Sequence, residues 1–154
     1  MIIRIAALSV IASLATQSQA REACTLRNNY CVPFVACTED GAKYFVGNSL
    51  GKDEGPVRAK SADGTVCEGR WWRTQIGTGK VKFSCTDGVT GSARYAYFHK
   101  GSGTATGRGR TDQGDKMRFW SGHRISEFLL SEANKDDLEL LRCAARAIES
   151  KPVS

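Results

Sequence analysis

The sequence predicts a mainly β protein: an antiparallel meander of about eight short strands that is barrel-like, disulfide-linked and followed by one C-terminal α-helix. Three observations support this prediction. A turn signal built on Asp and Gly recurs roughly every 24 residues through the middle of the chain, and Gly accepts the positive φ of tight hairpin turns. The segments between the turns alternate apolar and polar residues. The chain also has six cysteines, an even number that allows complete pairing.

The N-terminus has the pattern of a secretory signal peptide. Arg4 precedes a short apolar run, and small residues follow at Ser18 and Ala20, which is the order found in cleaved signals. The run is shorter than the ~20 apolar residues that span a bilayer. We therefore expect residues 1–20 to be a signal peptide and 21–154 to form a single β-rich domain. The mature chain is expected to have no transmembrane segment and to be periplasmic or secreted.

The cysteines indicate disulfide bonds rather than a metal site. An even number of cysteines in an exported chain favours pairing. Their spacing contains no C-x-x-C pair and neither histidine lies near a cysteine, so neither a metal nor another cofactor is expected. All six are predicted to form disulfides: Cys24, Cys31, Cys37, Cys67, Cys85 and Cys143.

One pairing is favoured over the others. Cys67 and Cys85 lie on neighbouring predicted strands joined by a short turn. A hairpin that turned near Gly77-Thr78-Gly79 would leave the two cysteines several residues out of register, so this pairing is expected to need a bulge or a slip in register. The pairing of the remaining four cysteines stays open.

The turn signals divide the chain into eight candidate strands. The strongest signals are Thr38-Glu39-Asp40-Gly41, Ser61-Ala62-Asp63-Gly64, Cys85-Thr86-Asp87-Gly88 and Thr111-Asp112-Gln113-Gly114. Strands separated by regular turns are typical of sandwiches and barrels, and consecutive hairpins make a meander that can close. The candidate strands are 32–37, 42–47, 56–60, 65–73, 79–85, 92–99, 103–110 and 115–121.

The C-terminal segment has helical spacing instead. We predict a helix over 135–149, with Asn134 as its N-cap and arginines near its negative end. Cys143 is expected to attach this helix to the β-domain or to the N-terminal segment. The residues predicted to form its apolar stripe are Leu138, Leu141, Ala145 and Ile148.

The glycine-rich segment 101–114 has glycine spacing close to that of a dinucleotide-binding turn, but no helix follows to hold a phosphate. A strand explains it better. With Asp112-Gln113-Gly114 as a three-residue hairpin loop, Gly107 lies opposite Phe119 and Gly109 opposite Met117. The missing side chains leave room for these large ones.

The same register places Arg108 opposite Arg118 and Arg110 opposite Lys116. Like charges directly opposite each other destabilise a sheet, and no acid is predicted between them. Two interpretations stay open: the cations extend into solvent, where salt screens them, or this face binds an anion. Lys80 and Lys82 extend the cationic face if the intervening strand permits it.

Two adjacent tryptophans face opposite ways if they lie on a strand. In a barrel, one of Trp71 and Trp72 lines the interior and the other lies outside. An exposed Trp flanked by Arg70 and Arg73 can stack on a ligand. The predicted binding residues are therefore Arg108, Arg110, Lys116, Arg118 and Trp72.

The function indicated by these features is binding rather than catalysis. The net charge is +6, and the chain has no catalytic motif with metal or nucleophile spacing, so no catalytic residue is assigned. We expect an exported, disulfide-stabilised β-domain with a non-enzymatic binding or structural role in the cell envelope. Its expected partner is an anionic envelope component or a protein, not nucleic acid. The alternative is a small secreted hydrolase with a composite site near His123, such as His123 with Asp115 and Ser121.

Overall fold

A computed structural model describes residues 30–132 and 138–150, and it shows a closed eight-stranded antiparallel barrel. Each strand pairs with the next along the chain, and the first pairs with the last, which confirms the predicted fold class. Two helices follow the barrel, and the first of them was not predicted. The elements are β1 (Cys31–Thr38), β2 (Tyr44–Leu50), β3 (Glu54–Ser61), β4 (Val66–Arg73), β5 (Gly79–Cys85), β6 (Thr90–His99), β7 (Thr104–Thr111), β8 (Lys116–Ser121), α1 (Ile125–Glu132) and α2 (Leu138–Glu149).

The four strongest turn signals all lie at one end of the barrel, because alternate turns of a meander share an end. We call this the Asp-turn end; it joins β1 to β2, β3 to β4, β5 to β6 and β7 to β8. In three of these turns an Asp carboxylate accepts a hydrogen bond from the backbone N–H two residues later, at N···O distances of 2.9–3.2 Å. Such Asx turns explain the recurrence of Asp. The Ser61 hydroxyl also donates to Asp63 and helps to hold the pKa of that carboxyl below its usual range.

Alternate residues of each strand face inward and fill the barrel interior. Gly107 lies opposite Phe119 and Gly109 opposite Met117, as predicted. A Cβ at Gly109 would lie 2.5 Å from the Ser92 carbonyl oxygen, so this position excludes any side chain. The buried interior residues are Ala36, Phe45, Val57, Ala59, Trp71, Val81, Ala93, Met117 and Phe119.

The two helices cover the apolar outer surface of β1, β2 and β8. The structure corrects the predicted stripe of α2: Leu138 is 59 % exposed and Ile148 is 37 % exposed, and Ala145 is exposed as well. The cause is the disulfide between Cys37 and Cys143, which turns Cys143 toward β1. The residues that face the barrel are therefore Leu140, Cys143, Ala144 and Ala147.

The predicted helix start cannot be compared, because residues 133–137, including Asn134, lie outside the described residues. Within the described part of the chain, no helix is both long enough and apolar enough to cross a membrane.

The predicted disulfide between Cys67 and Cys85 is present. Of the two alternatives, a bulge or a slip in register, the structure shows no bulge, because the two cysteines are direct partners in the β4–β5 ladder. The hairpin turns earlier than predicted: Thr74 and Thr78 close the loop through a backbone hydrogen bond of 2.8 Å. Cys31 is also disulfide-bonded, and no described cysteine is a free thiol. Cys24 and the expected signal peptide lie outside the described residues.

Replacing both Cys37 and Cys143 by Ala should destabilise the protein more than replacing both Cys67 and Cys85. The first disulfide closes a sequence separation of 106 residues and the second one of 18. Loop entropy alone makes the difference about 1.5 kcal/mol, and burial of Cys37 and Cys143 acts in the same direction. Urea unfolding of the two double variants measures it. Equal stabilities would contradict this account.

Replacing Gly109 by Ala should cost about 1–3 kcal/mol of unfolding free energy, because the new methyl group meets backbone atoms that cannot move alone. Gly101→Ala is a matched control. Its Cβ would meet only the His99 ring, at 3.3 Å, so its stability should be unchanged or slightly higher. Urea unfolding midpoints test both variants, and a tolerated Gly109→Ala would show that the interior is less tightly packed than described.

Candidate anion-binding face

A row of outward-facing side chains crosses five neighbouring strands. The register pairs Trp72 with Lys80, Lys80 with Arg94, Arg94 with Arg108 and Arg108 with Arg118. Directly opposed residues share a face of the sheet, so all five lie on the outside of the barrel. Neighbouring strands are about 4.8 Å apart, which makes the row about 19 Å long.

A second row lies two residues closer to the Asp-turn end. It pairs Arg70 with Lys82, Lys82 with Ser92, Ser92 with Arg110 and Arg110 with Lys116. The two rows are about 7 Å apart along the strands. We call their combined surface the basic face: Arg70, Trp72, Lys80, Lys82, Arg94, Arg108, Arg110, Lys116 and Arg118.

The predicted pairing of like charges on the last hairpin is therefore confirmed as a register. The intervening strand β6 does not interrupt the cations, because it contributes Arg94 to the first row. Sequence reasoning did not name Arg94 as a site residue. The alternation of Arg94 with the inward-facing Ala93 and Tyr95 is the sequence pattern that could have identified it.

In the part of the chain that the structure describes, acidic side chains form ion pairs with two cations at the margins of the basic face. Arg70 forms an ion pair with Glu54 at 2.9 Å, and Lys116 lies 3.7 Å from Glu39. Arg118 Nε donates to Thr106 Oγ1 at 3.4 Å, and the Arg118 guanidinium lies over the indole of Trp120.

At the centre of the basic face, no described acidic side chain neutralises the cations. Within residues 30–132 and 138–150, no carboxylate lies within 4.0 Å of five cations. All five are exposed. Together with Trp72 they line one shallow depression. These central cations are Lys80, Lys82, Arg94, Arg108 and Arg110.

The two tryptophans of β4 face opposite ways, as predicted. Trp71 lies in the barrel interior, where it is 8 % exposed, and its Nε1 donates to the Leu50 carbonyl at 2.7 Å. Trp72 is half-buried at the edge of the basic face. Its register partner on the neighbouring strand is Lys80, so Trp72 lies on the outer wall rather than in the core.

The composite site considered for a hydrolase does not assemble. Asp115 lies at the Asp-turn end, where Thr111 Oγ1 donates to its carboxylate at 3.2 Å. His123 follows the other end of β8, and a strand rise of about 3.4 Å per residue separates Asp115 from Ser121 by about 20 Å. Ser121 Oγ donates instead to the Gly103 carbonyl. The described residues also contain no group of three or more His, Cys, Asp or Glu side chains arranged to hold a metal.

Comparisons with known proteins support no family assignment. No protein-family model matches the chain, and no curated protein matches its sequence.

Similar solved structures are β-barrels. A redesigned β-barrel, mFAP1, bound to DFHBI, has a TM-score of 0.49 and 12 % identity, covering 61 % of this chain and 93 % of that one. A second redesigned barrel, mFAP0, bound to DFHBI, has a TM-score of 0.48 and 13 % identity, with coverages of 64 % and 100 %. A de novo designed fluorescence-activating β-barrel has a TM-score of 0.48 and 14 % identity, with coverages of 65 % and 99 %.

Proposed function

We propose that the protein is an exported, non-enzymatic binding protein of the cell envelope, and that its basic face binds an anionic lipid surface. The observation that carries this proposal is the group of five central cations with no acidic partner among the described residues. Like charges opposite each other cost stability in a sheet. An anionic partner would offset that cost, whereas a purely structural role gives no reason for it.

The layout of the charges favours a surface over a single small anion. The cations lie on the outside of the barrel with spacings of about 5 Å across the strands and 7 Å along them. This layout suits a surface with many separate negative charges better than a single small anion, which the cations do not enclose. Trp72 at the edge adds an amphipathic indole, a side chain enriched where an apolar layer meets water. Each Lys or Arg near an anionic membrane contributes about 1 kcal/mol.

The disulfides support the proposed location. Bonds of this kind persist in oxidising compartments such as the periplasm or the extracellular space. If residues 1–20 are a signal peptide, the protein recovered from the envelope or the medium should begin at Arg21. N-terminal sequencing tests this, and a protein that retains Met1 and is found with reduced cysteines inside the cell would contradict it.

Replacing Arg94 and Arg108 together by Gln should weaken binding to anionic vesicles about 30-fold, which corresponds to about 2 kcal/mol. The probe is vesicles of phosphatidylglycerol mixed with phosphatidylcholine, with binding measured by co-sedimentation. Added salt should weaken wild-type binding, and vesicles of phosphatidylcholine alone should not bind.

A second double variant, Lys60→Gln with Arg142→Gln, is the matched control. It changes the net charge equally, but Lys60 lies on β3 outside the basic face and Arg142 on α2 beside Glu139. It should bind as the wild type does. Equal losses in both double variants would show that only net charge matters. Binding to a soluble anionic glycan such as heparin without vesicle binding would overturn the lipid assignment.

A further inference from the structure

The barrel has a second candidate site in its interior, on the opposite side of the wall from the basic face. A cavity of about 300 Å³ opens at the end away from the Asp turns, which we call the open end. At the Asp-turn end the interior holds a void of only about 30 Å³. The interior space is therefore concentrated at the open end and narrows toward the Asp turns, and the cavity volume lies at the lower end of the range for small-molecule sites.

Small inward-facing residues of β6 and β7 create this space. Ala93, Ala105 and Gly107 occupy wall positions where larger side chains would fill the barrel. The Tyr95 ring uses the room left by Gly79 on β5, where an added Cβ would lie 1.8 Å from the ring. Deeper in the barrel, Phe119 and Met117 fill the interior. The pocket is thus shaped by residue size along two strands rather than left by a single missing side chain.

The wall of the pocket is apolar and aromatic. Phe34, Trp71, Val81 and Phe119 line it, and the Trp71 and Tyr95 rings meet edge to face with centroids 6.3 Å apart. Such a wall favours the apolar body of a ligand, because removing apolar surface from water is the main driving force for binding.

One polar group in the pocket lacks a partner of good geometry. Tyr95 Oη is buried, and no described group forms a well-aligned hydrogen bond with it, although Tyr97 lies close enough to affect its ionisation. Burial first, and the neighbouring Tyr97 second, raise the pKa of the Tyr95 phenol. The hydroxyl therefore stays protonated at neutral pH.

The rim of the pocket is cationic. Arg73 stacks over the Tyr97 ring, 5.3 Å from its centroid, and is partly neutralised by Asp53 at 3.2 Å. Lys52 and Lys100 also line the pocket and are exposed. In the described part of the chain, neither lysine has a carboxylate within 4.0 Å. The entrance thus carries an excess of positive charge above an apolar wall.

We infer that the open end of the barrel binds a small apolar anion, whose hydrophobic body enters the pocket and whose carboxylate or sulfonate stays at the Lys52 and Lys100 rim. The apolar wall lies deep in the pocket, where it faces the hydrophobic body, and the lysines lie at the entrance, where they face the anionic group. This site is independent of the proposed membrane-binding face, since the two use opposite sides of the same strands.

Two fluorescent probes with similar bodies test the inference. Anilinonaphthalene sulfonate carries an anionic group, and phenylnaphthylamine has the same aromatic body without it. Both should bind the folded wild-type protein with one-to-one stoichiometry and enhanced fluorescence. Replacing Lys52 and Lys100 together by Gln should weaken the sulfonate about tenfold and leave the neutral probe unchanged.

A variant inside the pocket separates this site from the surface. Ala105→Leu adds side-chain volume to the wall and should reduce binding of both probes. The exposed lysine variant does not disturb packing, so it keeps the test valid if Ala105→Leu does not fold. Arg94→Gln with Arg108→Gln should leave both probes unaffected, whatever it does to vesicle binding. Absence of binding to the folded wild type would overturn the inference. So would sulfonate binding that is unchanged by the lysine variant or lost in the basic-face variant.

Discussion

The pairing of β1 with β8 is the constraint on which the rest of the structure depends. Five residue pairs, from Phe34 with Ser121 to Thr38 with Met117, join the two strands. Closing the sheet removes both free edges and gives every strand an inside and an outside. The same closure creates an apolar strip on the outside, around Val35 and Trp120, that α1 and α2 cover. Cys37 lies in this seam, so its disulfide fastens the helical cover to the strand that closes the barrel.

Alternation across the closed wall lets one strand contribute to two surfaces. On β7, Gly107 and Gly109 face inward, while Arg108 and Arg110 face outward. The glycines admit the aromatic side chains of neighbouring strands and leave the pocket its shape. The arginines extend the basic face across the gap between β6 and β8. A single glycine-arginine segment therefore contributes to both proposed sites, the internal pocket and the external basic face, although their chemistry differs.

Local chemistry explains which features could be predicted from the sequence. Hairpin turns need residues with particular backbone preferences, so the Asp-Gly signals located the Asp-turn end and the register of β7 with β8. Two-residue alternation then placed Arg108 opposite Arg118. The orientation of α2 was not predictable in this way, because the partner of Cys143 decides which side of the helix faces the barrel. Leu138 and Ile148 fit an apolar stripe by spacing, yet the disulfide turns them toward solvent.

The candidate sites also combine features that local sequence patterns predict with features that depend on the whole fold. Four cations and Trp72 were predicted as binding residues, and Lys80 and Lys82 as an extension that depended on the intervening strand. Adding Arg94 required the register of that strand, which places Arg94 between Lys80 and Arg108. The pocket was not predicted. Its volume depends on how Tyr95, Phe119 and several small residues from different strands pack together in the interior. No local sequence pattern predicts the space that remains.

The Asp turns all lie at one end of the barrel, so the two ends differ in how well they accept inserted or attached groups. At the Asp-turn end, Gly64 and Gly88 have no other atoms within 4 Å of an added Cβ, so these tips have space around them. Exposed turn tips of this kind are where insertions and new chain ends are best accepted. A fluorophore, an affinity handle or a circular-permutation breakpoint could therefore be introduced at that end. The barrel could then be immobilised from one side while the pocket at the open end stays uncovered.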